Sequence, residues 1–139
     1  MVDPVEVIAE LQRRYASDWD GQAPIHEDIA GWTEGSVEAE VNLYDALAAE
    51  LARGYFDRRY SFAFCDAVVN QLWTLLIDED PQEAPSPWPN LFSRVYEAFD
   101  AGECHRRADK TDDPVAELTE PAIAEIVPVT SFPFPWDAA

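Results

Sequence analysis

Basic residues are scarce in this chain, with nine lysines and arginines against 28 aspartates and glutamates in 139 residues, a formal net charge of −19. A surface of that sign repels phosphate backbones and anionic lipid, so direct nucleic-acid and membrane binding are disfavoured and basic proteins are attracted. Cysteine is scarce as well: Cys65 and Cys104 form no C-x-x-C motif, and His26 and His105 are not at helical spacing from one another. A disulfide framework and a zinc site are therefore not expected. The adjacent Cys104-His105 reads as a polar turn rather than a ligand pair, and Cys65, within an apolar helical pattern, reads as an inert core thiol. The five glycines are scattered, which leaves no phosphate-cradling loop, and no G-x-S-x-G elbow occurs. Asp18-Trp19-Asp20-Gly21 has the opening of a calcium loop but no later ligands in register. No catalytic residue, metal or cofactor is assigned, and the chain is expected not to be an enzyme.

Long apolar runs are missing too. The longest, residues 62–77, is broken by Asp66, Asn70, Gln71 and Thr74 and falls short of the roughly 20 apolar residues a membrane span requires. No secretory apolar segment precedes the first predicted helix, so the reading is a cytoplasmic, reduced protein.

What is present is a core. With 47% hydrophobic and 12% aromatic residues, the chain is globular despite a charge that alone would point to disorder. The acidity is not a tail: residues 1–60 carry 13 acids and 5 bases, residues 61–100 carry 7 and 1, and residues 101–139 carry 8 and 3. The folded surface itself is expected to be acidic.

Apolar spacing and capping signals predict a series of helices. Asp3-Pro4-Val5-Glu6 is a capping-box start followed by the stripe Val5, Ile8, Leu11 and Tyr15. A second helix starts at Ser36, repeats Val37, Val41, Tyr44, Leu47, Ala48 and Leu51, and stops at Gly54. A third, from about Ser61 to Asp78, is apolar nearly all round and is expected to be the central helix, with Asp66, Asn70 and Thr74 as one polar line, either a solvent-facing strip or a buried polar network or partner contact. Pro81, Pro85, Pro87 and Pro89 make an extended connector, a fourth helix runs from Asn90 to Asp100, and a final helical region follows Asp113-Pro114 and is open to splitting at Pro121. Strand signals are weak outside Ile126 to Val129. The expected fold is all-α: an irregular bundle of four to five helices in one domain over 1–127, with an extended proline/aromatic arm over 128–139 packed on it.

Eight of the nine bases, Arg13, Arg14, Arg53, Arg58, Arg59, Arg106, Arg107 and Lys110, fall near or beyond predicted helix C-termini, where they complement helix dipoles. The exposed faces then keep most of their acids unpaired. The longest connection, Ser17 to Gly35, holds Trp19 and Trp32 among Asp18, Asp20, Glu27, Asp28 and Glu34. These seven are the candidate partner-binding residues, tryptophan supplying buried area and carboxylates steering a basic protein. The alternative is that both tryptophans fold back onto the bundle and 25–30 forms a short helix.

The stretch Pro89-Asn90-Leu91-Phe92-Ser93-Arg94-Val95-Tyr96-Glu97-Ala98-Phe99-Asp100-Ala101-Gly102-Glu103, with Asp113-Pro114 and Thr119-Glu120-Pro121 after it, resembles a region of small bacterial toxin-immunity proteins. The resemblance implies a helical, acidic inhibitor that neutralises a basic toxin, often a nuclease. The competing readings are a DNA-mimic or adaptor that binds another basic surface, and a small enzyme using scattered carboxylates.

Overall fold

Three helices begin where a short side-chain oxygen takes an otherwise orphan backbone N–H. Asp3 accepts from Val5 at the start of α1 (Pro4–Gln22), Ser36 from Ala39 at the start of α3 (Val37–Phe56), and Ser61 from Phe64 at the start of α4 (Phe62–Ile77). The computed structural model describes residues 2–78 and 88–130, and among them there are six helices and no strand. The others are α2 (His26–Thr33), α5 (Asn90–Asp100) and α6 (Glu120–Thr130), the last entered through a π-helical turn at Val115–Thr119.

The expected 17–35 loop is largely helical. α1 continues to Gln22, broken at Asp18, whose φ of −161° and ψ of 85° leave the helical region. α2 then starts because the Asp28 carboxylate reaches back to the Ile25 N–H at 2.9 Å. The corner between them is fixed to α4, where the Gln71 side chain donates to the Pro24 carbonyl at 2.7 Å. The short helix over 25–30 is the alternative reading of the sequence, whereas the continuation of α1 is missed because the break at Asp18 interrupts the period while the chain goes on turning.

The central helix is α3, not α4 as the apolar content of the latter suggests. α3 packs against α1, α2, α4, α5 and α6. Ala46, Ala48, Ala49 and Ala52 are all buried on it, and such small side chains let neighbours approach from several sides at once. Between them Tyr44 meets Phe92 edge-on at 5.1 Å and Tyr55 meets Phe99 at 5.3 Å, joining α3 to α5. α3 also runs past Gly54 to Phe56. The Gly54 carbonyl accepts the Arg59 and Tyr60 N–H groups, and glycine is needed there because the Tyr60 ring so placed occupies the space of a Cβ.

Pro121 does not split the last helix. It lacks the N–H that would return to residue 117, and the chain is widened immediately before it, the Glu120 N–H bonding the Val115 carbonyl five residues back. α6 includes 126–129, where the weak strand signal lies, and extends through Thr130 with Pro128 inside it. The helical unit therefore passes the expected boundary at 127. The rest of the proposed arm, Trp136 included, and most of the proline connector lie outside the described residues.

Candidate interaction surface

The seven candidate residues divide into those that build the α1–α2 joint and those that stay free. Trp19 and Trp32 are half-buried and pack against the main apolar core. Trp19 stands edge-on to Tyr15 at 5.8 Å, and Tyr15 continues to Phe64 at 5.4 Å. Over Trp32, 5.9 Å from its ring centre, lies the Arg14 guanidinium. That guanidinium forks onto both Asp28 oxygens at 3.0 and 3.1 Å and also donates to Glu10 at 3.1 Å. Burial would raise the Asp28 pKa, but the bonds from Arg14 and from the Ile25 N–H overcome it and hold the carboxyl below its ordinary value. Trp19, Trp32 and Asp28 are thus parts of the joint rather than projecting anchors. Asp18 caps its own bend, accepting from the Gly21 N–H at 3.2 Å. Asp20, Glu27 and Glu34 are exposed, and among the described residues their side chains have no hydrogen bond or ion pair.

The arginines are not simply complements to helix dipoles. Because α1 runs on to Gln22, Arg13 and Arg14 sit in its middle, and Arg53 in α3 is the one base in a last turn among α1 to α6. They serve specific acids instead: Arg13 bonds Glu10, Arg58 bonds Glu120 at 2.8 Å, Arg59 bonds the nearly buried Glu50 at 3.2 Å, and Arg107 lies 3.9 Å from Glu117. The Arg58–Glu120 pair is extended by Tyr55, whose hydroxyl donates to Glu120 at 2.9 Å; burial, then Glu120, pushes that phenol up to about 12. Much of the small supply of cations is thereby paired with acids of the same chain.

A second acidic group, which sequence analysis did not single out as a site, joins α4 to the end of α5. Its line of Asp66, Asn70 and Thr74 is a partly buried network, not a bare solvent strip. Thr74 returns its hydroxyl to the Asn70 carbonyl at 2.9 Å, and the Asn70 amide donates to Glu103 at 3.0 Å. Asp66 is half-buried beside Glu103, with Asp100 close by, and its Oδ1 is enclosed without a donor. Burial first, and then contact with Glu103, pushes Asp66 up to about 7. Asp100 is raised by burial and by Glu103, with Arg106 only partly opposing. Alongside, Trp73 stacks on Tyr96 at 4.4 Å and 10°, and Trp88 meets Trp73 edge-on at 6.1 Å. The i, i+4 spacing of Asp66 and Asn70 was visible in sequence; that Glu103 would fold onto them was not.

Beyond α5 the chain is organised by Asp112. Its buried carboxylate accepts the Arg106 N–H at 2.6 Å and lies 3.1 Å from His105 Nδ1. The Arg106 N–H is the main reason its pKa lies below the ordinary value. Cys104 is exposed, while burial pushes the Cys65 thiol up and makes it a poor nucleophile. Among the described residues no group of three or more His, Cys, Asp or Glu is arranged to hold a metal ion, and no helix is long and apolar enough to cross a membrane. The chain has no match among protein-family models, curated proteins or solved structures.

Proposed function

We propose that this protein is a non-enzymatic acidic binding protein, an immunity-like inhibitor that neutralises a basic partner such as a toxin nuclease. The supporting observation is the uncompensated negative charge. The net −19 already counts every base, and because Arg13, Arg14, Arg58, Arg59 and Arg107 pair with acids of the same fold, few cations are left near the remaining acids. Exposed acids such as Asp20, Glu27 and Glu34 remain free to meet cations. A nuclease must present cations to phosphate, and carboxylates opposite those cations both accelerate encounter and occlude the site.

The reading is tested by capturing a partner from the native host on the immobilised full chain and measuring its association at increasing salt. A basic partner is expected whose on-rate falls steeply towards physiological ionic strength while its off-rate changes little. The triple variant D20N/E27Q/E34Q is expected to slow association without altering the fold. A neutral or acidic partner, or salt-independent association, overturns the proposal.

A further inference from the structure

We infer that Asp66 and Glu103 share a proton across the α4–α5 interface, and that loss of this proton loosens the chain following α5 from α4, making the pair a proton-controlled latch. The inference is independent of the proposed binding function. Asp66 lies one helical turn before Asn70, whose amide donates to Glu103 at 3.0 Å, so the two carboxyls are neighbours; when both are ionised they cannot bond to each other, since each then only accepts. The enclosed Asp66 Oδ1, which has no donor, marks the same deficiency. A proton held by either carboxyl supplies the missing donor and removes one of two adjacent negative charges, the arrangement that keeps paired carboxyls singly protonated.

The surroundings favour that state. From α4 come Asn70, whose amide donates to Glu103 and also opposes the rise at Asp66 as the smallest of its influences, and the Cys65 thiol. From α5 come Asp100, Tyr96 and Glu97, and from the following turn Arg106. The carboxyls outnumber the single cation, and that cation acts on Asp100. What the pair fastens is also defined. Glu103 follows Gly102, whose missing Cβ leaves room for the Phe62 ring of α4 and for Thr119. Separation of Glu103 from Asp66 would therefore strain this close contact and the Asn70 bond together.

The sign follows from linkage. Asp66 titrates in the folded chain above the value of about 3.9 for an unperturbed aspartate. Its contribution to stability is complete below that value, is lost as pH rises towards about 7, and is absent above. The test is carbon-detected NMR titration of the side-chain carboxyls in the full chain, with amide exchange and thermal melts of wild type, D66N and E103Q. Asp66 is expected to titrate near neutrality. In wild type, the opening constant for amides following α5 should rise by up to about tenfold per pH unit between about pH 5 and about pH 7, once corrected for intrinsic exchange. D66N should flatten this dependence and melt increasingly above wild type as pH rises. E103Q, whose amide donates permanently, should do the same. If the substitutions impair folding, the wild-type titration still decides: an Asp66 carboxyl that titrates in the ordinary range overturns the latch. So does a wild-type pH slope retained in a folded D66N.

Discussion

Asp28 shows how far the role of one acid can differ from what its exposure in sequence implies. It looks like a solvated loop carboxylate, interchangeable with Asp20 and Glu27. In the fold it caps α2 and receives both arms of the Arg14 guanidinium, so its replacement leaves that cation and the Ile25 N–H short of an acceptor. Asp28→Asn should therefore lower stability by about 1–3 kcal/mol in denaturant melts, whereas D20N and E27Q should leave the midpoint within error. Its folded pKa is depressed, so its contribution is present above the unfolded value and disappears as pH falls through the folded one. Equal, small effects of all three substitutions would mean that the joint with Arg14 does not form in solution. Glu34 makes the opposite case. It sits at φ 53° and ψ 31°, a left-handed conformation that a residue with a Cβ adopts at a cost, and its side chain is free. Glu34→Gly should raise stability by about 1 kcal/mol, and an unchanged or lower midpoint would show that the glutamate makes a contribution of its own.

At the scale of elements, the helices most legible in sequence are those whose signals are local. The caps at Asp3, Ser36 and Ser61 lie where a polar oxygen precedes an apolar stripe, and all three accept the expected kind of N–H. The misread parts depend on contacts between distant residues. The docking of α2 on α1 depends on Asp28 meeting Arg14, the continuation past Gly54 depends on where Tyr60 folds, and the acid network depends on Glu103 reaching Asn70. None of these leaves a periodic trace. Gly54 makes the distinction measurable, because helix propensity alone says that Gly54→Ala should stabilise by roughly 1 kcal/mol. The added Cβ would collide with the Tyr60 ring, whose hydroxyl is held by Glu50 at 2.9 Å and cannot swing away without losing that bond. Overpacking of about 1–3 kcal/mol should outweigh the propensity gain. Gly54→Ala is therefore expected to lower the melting midpoint, and to lower it less when Tyr60 is also truncated to alanine. Stabilisation by the single substitution would show that Tyr60 is not packed there.

For the whole molecule, two electrostatic effects of salt oppose each other. Screening weakens the internal pairs Arg14–Asp28, Arg58–Glu120 and Arg59–Glu50, and it also weakens repulsion among the many acids behind a net charge of −19. The pairs are few, short and in part sheltered, so salt reaches them poorly, while repulsion is summed over longer distances comparable with the Debye length of about 10 Å at 0.1 M. Repulsion should therefore dominate, and the melting midpoint should rise with added sodium chloride near neutral pH. Tetramethylammonium chloride should act equally at matched ionic strength, since screening needs no specific cation site. The same charge that resists compaction should attract a basic partner, so salt should stabilise the free protein and slow its association. A midpoint that falls with salt would show that internal ion pairs outweigh the net charge, and would remove the physical basis for reading the acidic surface as one held ready for a basic partner.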